Sequence, residues 1–348
     1  MEVPPKVEEL LAKISSLSTD ERLALFSMLE QSEPADNNDE KRLSDARFAN
    51  GRKCPHCGKE HVVKNGSSRG RRRYVCRDCG RSFCMKTGTA LSWTHKDLSV
   101  WDKYVSCMIE GRSIRESAAI CGICKKTSFT WRHKILDAMD GNIHQGIKLG
   151  GVVESDETFT DLSYKGNHKH SSRFTMPREA HKRGHEVHRA GLNHDKVCIT
   201  VAVNGKGLSV AAPTNTAKPS SEEIKSFLGK HILEGSVLCT DSNRAYKKLV
   251  KEKNLDHVVF NVKKKEYTRG QYGVQRVNNY HNRLKQFLRR FNGVSSKYLS
   301  NYLVWNNFLN YAKESVGEKL RLIKNLVMTG TTPTRGYSLS HRPWQPVE

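Results

Sequence analysis

The chain has 348 residues and a formal charge of +23, from 59 Lys and Arg against 36 Asp and Glu, with a pI near 9.7. That length allows two or three domains of ordinary size. The charge favours a polyanionic partner, nucleic acid ahead of an anionic membrane surface, over an acidic small molecule. No apolar run approaches the roughly 20 residues of a membrane span, and MEVPPKVEELLAKISSL lacks the basic-then-apolar order of a signal peptide.

In chain order, residues 5 to 31 place Val7, Leu10, Leu11 and Ile14, then Leu23, Leu25, Phe26, Met28 and Leu29, at helical spacing, with Ser18, Thr19 and Asp20 as caps between. Two short helices are expected within an N-terminal segment 1–34. The polar stretch SEPADNNDEKRLSDARFANG then reads as a linker.

A cysteine-bearing basic module follows over 50–90. Cys54 and Cys57 are two residues apart, as are Cys76 and Cys79, with eighteen residues between the pairs. Each pair offers a knuckle whose thiolates reach one tetrahedral Zn²⁺, with VVKNG and RRRYVC as the hairpin strands of a zinc ribbon. The same spacing favours a reducing compartment over a disulfide-bonded secreted chain, so a soluble cytoplasmic protein is expected. Arg69, Arg71, Arg72 and Arg73 between the knuckles are candidates for phosphate contact, the alternative being a solvated hairpin tip.

Residues 95–145 read as helices. Ile114, Ala118 and Ala119 mark a short amphipathic helix, Gly122 a turn, and Lys125 to Leu136 a second, basic helix, which is a helix-turn-helix pattern. The second helix carries Lys125, Lys126 and Arg132 as candidate DNA contacts. Cys121 and Cys124 have no partner pair and read as core packing.

From 150 to 315 strands precede helices. GVVESDETFTD reads as a strand carrying Asp156. KVCITVAVNGKGLSVAAP is a hairpin turning at Asn204-Gly205, SSEEIKSFLGKHI a Ser-capped helix, and GSVLCTDSN a buried strand ending on Asp241. A helix, the strand HVVFNV and the long basic helix VQRVNNYHNRLKQFLRRF complete the order, which is that of a ribonuclease-H-like α/β domain with a mixed sheet. After Leu326 the tail, taken as 316–348, is turn-rich and reads as loosely ordered or docked on another surface. Tyr298, Tyr302 and Trp305 at helical spacing read as packing.

Carboxylates gathered in a basic protein repel one another unless cations neutralise them, and two Mg²⁺ or Mn²⁺ would both do so and support phosphoryl chemistry. Asp156 and Asp241 are the candidates, turn capping being the alternative role. Glu157 is set aside because strand neighbours point to opposite faces.

VESDETFTD, KGNH, KRGHEVHRAGLNHDKVCI, VLCTDSNRAY and VNNYHNRLKQFLRRFNGVSSKYLSNYLVW together resemble the bacterial insertion-sequence transposases that carry a zinc ribbon before a DDE-type catalytic domain. The resemblance covers roughly residues 50 to 310. It implies that the two invariant acids fall on Asp156 and Asp241 and the third position in VNNYH. No Asp or Glu stands there, so the resemblance is to a branch with Asn at the third position and a following His, which implies Asn278, with Asn279 as the alternative, and His281. Asn278, His281 and Lys285 share one helix face.

The activity implied is two-metal cleavage of transposon ends followed by joining of the 3′-hydroxyl to target DNA. The ribbon and helix-turn-helix would hold double-stranded end DNA, while Lys285, Arg289, Arg290 and the lysines at 263–265 follow the backbone. A homo-oligomer on paired ends and a nucleoid-associated location are implied with it. Two other classes remain: an inert transposase-derived DNA-binding protein, and a nuclease of the same fold that cuts without strand transfer.

Overall fold

The computed structural model describes residues 39–68, 71–166, 196–261, 264–310, 315–332 and 336–343, with positions 13, 14, 18, 21, 175 and 334. Arg69, Lys263, most of KRGHEVHRAGLNHDK and most of the N-terminal helical segment lie outside these residues. Ser18 and Glu21 lie within them and form a capping box: Ser18 N donates to Glu21 Oε2 at 2.8 Å and Glu21 N to Ser18 Oγ at 3.3 Å.

The stretch expected as a linker instead contains a helix, α1 (Asp39–Phe48). Its sequence buries one apolar side chain, Leu43, so tertiary contacts hold it. Asp39 Oδ2 accepts the backbone N–H of Leu98 at 2.8 Å, and Phe48 packs edge-on to Tyr74 with ring centroids 5.2 Å apart. The ribbon follows as three antiparallel strands, β1 (Val62–Ser68), β2 (Arg71–Cys76) and β3 (Ser82–Phe83).

Helices α2 (Leu98–Ile109), α3 (Ile114–Ile120) and α4 (Lys125–Asn142) come next. Ser113 and Glu116 box the start of α3, Gly122 turns the chain at φ +58°, and Cys124 Sγ caps α4 by accepting the N–H of Thr127 at 3.4 Å. Of the second cysteine pair, Cys121 is buried and Cys124 is this exposed cap.

The remaining chain builds a five-stranded sheet from β4 (Val152–Asp161), β5 (Lys196–Asn204), β6 (Ser209–Asn215), β7 (Val237–Asp241) and β8 (Asp256–Phe260), in the order β6-β5-β4-β7-β8. The first three strands are antiparallel, and β7 and β8 run parallel to β4. The β5–β6 hairpin turns over four residues rather than two: Asn204 Oδ1 accepts the N–H groups of Lys206 and Leu208, and Gly207, not Gly205, takes the positive φ, +84°.

Period-two alternation sends the two faces of this sheet into separate cores. Val153, Ala202 and Leu238 pack on one face with helix α5 (Ser221–Leu228), Tyr246 and helix α6 (Lys247–Glu252). Ile199, Val201 and Cys239 pack on the other. There a short hairpin, β9 (Thr268–Arg269) and β10 (Tyr272–Gly273), leads into helix α7 (Gln275–Arg289), which supplies Val277, Tyr280 and Leu284.

Helix α8 (Leu299–Leu309) joins this domain to the N-terminal one, because Leu299 and Leu303 enter the sheet core while Tyr302, Val304 and Trp305 enter a core shared with the ribbon and α2 to α4. The expected tail begins as a helix, α9 (Val316–Thr329), boxed by Ser315 and Glu318 and burying Ile323, Leu326 and Val327 in that core. Beyond it the chain is docked: Thr332 N donates to Gly88 O at 2.7 Å, and Tyr298 OH to Leu339 O at 3.0 Å within helix α10 (Gly336–Ser340).

Candidate active site

The site lies where β4 and β7 part. Their parallel ladder runs from Val152↔Val237 to Glu154↔Cys239 and stops, while β4 continues along β5 to Asp161. Past the last pair, Asp156 and Glu157 on β4 face an open edge beside Asp241, the final residue of β7. One carboxylate oxygen from each of the three lies within 4.8 Å of the others.

Strand alternation holds for the start of each side chain. Glu157 shares its face with Ser155, and both bond Tyr246: its hydroxyl donates to Glu157 Oε1 at 2.8 Å and lies 3.2 Å from Ser155 Oγ. At an open edge, however, the longer glutamate places its carboxyl beside the aspartates. Exclusion of Glu157 on alternation alone is therefore corrected. Burial pushes the Asp156 carboxyl up to about 6, with Asp241 adding repulsion. Burial pushes Glu157 up to about 7, the Tyr246 hydrogen bond opposing the shift and both aspartates adding to it. Asp241 Oδ1 accepts the N–H of Asn243 at 2.9 Å, and Asn243 Oδ1 accepts that of Ala245, so the turn after β7 brings Tyr246 beneath the cluster.

Helix α7 closes the other face. Its N-cap, Val274, has no side-chain acceptor, and Glu154 of β4 takes that role: its buried carboxylate accepts Arg276 N at 2.7 Å, Val277 N at 3.1 Å and Arg276 Nη1 at 2.8 Å. One turn on, His281 is buried with Nδ1 4.0 Å from Asp156 Oδ2 and Nε2 without a partner among the described residues. Burial, helped by Lys285, lowers His281 to about 4, so the ring is neutral at pH 7. Asn278, three residues before His281 on the same face, is half-buried, whereas Asn279 is exposed.

The cation fits this donor set. Mg²⁺ takes oxygen ligands at about 2.0–2.1 Å, so three oxygens already within 4.8 Å of one another can share ions with small side-chain movements.

The four ribbon cysteines also converge. Cys54 Sγ is 3.7 Å from Cys79 Sγ, and Cys57 Sγ is 3.6 Å from Cys76 Sγ. Sulfurs about 2.3 Å from a tetrahedral Zn²⁺ stand about 3.8 Å apart, so the spacing fits zinc. Gly58 and Gly80, at φ +76° and +70°, close equivalent knuckles by donating to Cys54 O and Cys76 O at 2.9 Å.

Among the expected DNA contacts, Arg71, Arg72 and Arg73 on β2, Lys125 and Lys126 in the first turn of α4, and Lys285 and Arg289 on α7 are all exposed. Arg132 is not, and its assignment is corrected. It is wholly buried, donates to Arg112 O at 2.7 Å, and stacks 4.9 Å from the Trp305 ring centroid. Helix α4 lies under α8 and α9, so a basic position along it faces the core.

The sheet order and the placement of the two acids define a ribonuclease-H-like domain, here preceded by a zinc ribbon and helices. Residues 148–308 match the ISXO2-like transposase domain and residues 34–82 the transposase zinc-ribbon domain, together more than half of the chain. The chain thus carries a transposase-type domain behind a transposase-type zinc ribbon. A relative from Halobacterium salinarum, an uncharacterized protein in transposable element ISH50, is 29% identical over 263 residues, which is 75% of this chain and 86% of the relative. Among solved structures, the Drosophila P element transposase strand transfer complex aligns at 12% identity and a TM-score of 0.27, over 67% of this chain and 65% of that one, under two thirds of its length. No described helix is long and apolar enough to cross a membrane.

Proposed function

We propose that the protein is an active transposase that binds the ends of its element, cleaves them and joins the freed 3′-hydroxyl to target DNA. The observation that carries this reading is the meeting of Asp156, Glu157 and Asp241 at one sheet edge, with His281 of α7 4.0 Å from Asp156.

Asp156 and Asp241, with the amide oxygen of Asn278 from the facing helix, are the residues that would hold divalent ions. Such ions, when bound, lower the pKa of coordinated water and neutralise charge on the phosphoryl group under attack. Asp241 is oriented by Asn243. His281, neutral and buried against Asp156, is placed to accept or relay a proton through Nδ1. Lys285, one turn further and exposed, is placed to hold a backbone phosphate at the mouth of the site. The exposed arginines of β2 and the first turn of α4 bind end DNA, the latter as the leading end of a recognition helix. Function as a homo-oligomer on paired ends, close to the nucleoid, belongs to the same proposal.

The test is incubation of purified protein with element-end and target DNA in Mg²⁺ or Mn²⁺. Strand-joined products are expected, and Asp156→Ala or Asp241→Ala is expected to abolish cutting while sparing end binding. Nicks without joining would point to a nuclease, and binding without cutting by the parent protein would point to an inert descendant. Unchanged cleavage in either variant would overturn the site.

A further inference from the structure

A DDE-type site with asparagine at its third position is short of one negative charge, because an amide oxygen coordinates a cation without neutralising it. We propose that Glu157 supplies that charge as the third carboxylate ligand, from the strand rather than the helix; this deepens the reading above and rests on it.

Three observations carry the inference. The β4–β7 ladder ends at Glu154↔Cys239, so the strand edge beside Glu157 is open toward Asp241 rather than sealed by backbone pairing. The Glu157 carboxyl oxygen lies within 4.8 Å of both aspartates, although its strand face is the opposite one from Asp156. Its orientation is fixed from behind, since Tyr246, fully buried, donates to Oε1 at 2.8 Å. A glutamate serving only as that acceptor could be replaced by an uncharged one, whereas a third carboxylate beside two others raises the repulsion in a partly buried space unless a cation is shared.

An independent feature points to an incomplete centre at the same site. His281, only 8% exposed, faces Asp156 with Nδ1 at 4.0 Å, beyond hydrogen-bond reach, and has Nε2 without a partner among the described residues. Burying a polar ring next to a carboxylate without bonding it is costly in a closed core. It is the arrangement expected around a centre that a further species completes.

The experiment titrates Mn²⁺ into the full-length, zinc-loaded protein and follows bound Mn²⁺ and the thermal midpoint, with no DNA and no activity readout. Glu157→Gln keeps the shape and the Tyr246 hydrogen bond and removes the charge. It is expected to weaken Mn²⁺ about tenfold or more, to raise the midpoint without divalent metal, and to lose the Mn²⁺-induced rise. Glu157→Asp, which keeps the charge, is expected to recover part of the affinity, and Asn278→Ala to cost less than Glu157→Gln. A merely structural Glu157 gives the reverse pattern, a lower metal-free midpoint with Mn²⁺ affinity unchanged, and that result overturns the proposal. Loss of Mn²⁺ in Asp156→Asn and Asp241→Asn but not in Glu157→Gln sinks this ligand alone. Parental Mn²⁺ affinity in all three sinks the metal site itself.

Discussion

Glu154 and Arg276 are joined across the interface between strand β4 and helix α7: one carboxylate takes the Arg276 backbone N–H, its guanidinium, and the N–H of Val277. These are the second and third backbone donors of α7, the ones an ordinary N-cap side chain would satisfy. The strand thus caps the helix two residues before Asp156, and Asn278 and His281 inherit their place from that cap. Most of the stabilisation comes from the backbone bonds to a buried carboxylate, because the Arg276 side chain is 47% exposed and screened. Glu154→Ala is expected to cost about 3 kcal/mol in urea unfolding and to reduce cleavage more than end binding. Unchanged stability and cleavage would show that α7 is placed by packing alone.

The ribbon shares a core with the helices, since Tyr74 and Phe83 of β2 and β3 cluster with Leu98, Trp101 and Ile323. Zinc removal is therefore expected to unfold more than residues 54 to 79: Cys76→Ser, or chelation, should lower helical circular dichroism and the melting temperature of the N-terminal half. One zinc per chain by metal analysis is the companion expectation. Protein free of zinc with an intact melt would count against the ribbon.

Lys125 and Lys126 stand at the free end of α4, while Arg132 lies in the core. Lys125→Ala with Lys126→Ala should weaken end-DNA binding, reduce the slope of log affinity against log salt by about two, and leave the melting temperature unchanged. Arg132→Ala should instead destabilise the fold by about 2–4 kcal/mol through lost packing on Trp305 and the Arg112 carbonyl. If Arg132→Ala altered DNA binding without altering stability, its placement in the core would be contradicted.

His133, beside it on α4, is buried among Phe129 and Tyr298 with both ring nitrogens unpartnered among the described residues. Burial, with Arg342 and Arg132 adding repulsion, lowers its pKa from 6.5 to about 3. The unfolded chain then binds the extra proton between those values, so stability falls as pH drops below about 6.5 and the loss reaches roughly 2 kcal/mol at pH 5. His133→Phe should remove this part of the pH dependence, read as the difference between variant and parent urea midpoints at pH 7.5 and 5. Parallel curves would contradict a neutral buried imidazole.

The order of elements around Asp156 and Asp241 is legible because the strands are bounded by turn signals and Asp241 closes the short, mostly apolar run VLCTD. The cysteine pairs were legible because metal ligation fixes their spacing. What escaped depended on neighbours distant in sequence. Glu157 was hidden because alternation describes Cβ directions and cannot reveal that the ladder beside it stops. Arg132 lies on a basic helix, which reads as exposed from sequence, whereas α8 and α9 cover it. Helix α1 carries little sequence signal because its polar sequence holds one core residue, Leu43, and the contacts that fix it come from Leu98 and Tyr74. Glu154 carried no signal, since its partners are backbone groups more than a hundred residues away.

The most direct test of the account is anomalous diffraction from crystals of the full-length protein bound to element-end DNA and Mn²⁺. Manganese peaks within about 2.0–2.3 Å of carboxylate oxygens of Asp156 and Asp241, with the Asn278 amide oxygen turned toward them, are predicted. A complex that cleaves its DNA yet shows no manganese among these residues would contradict it.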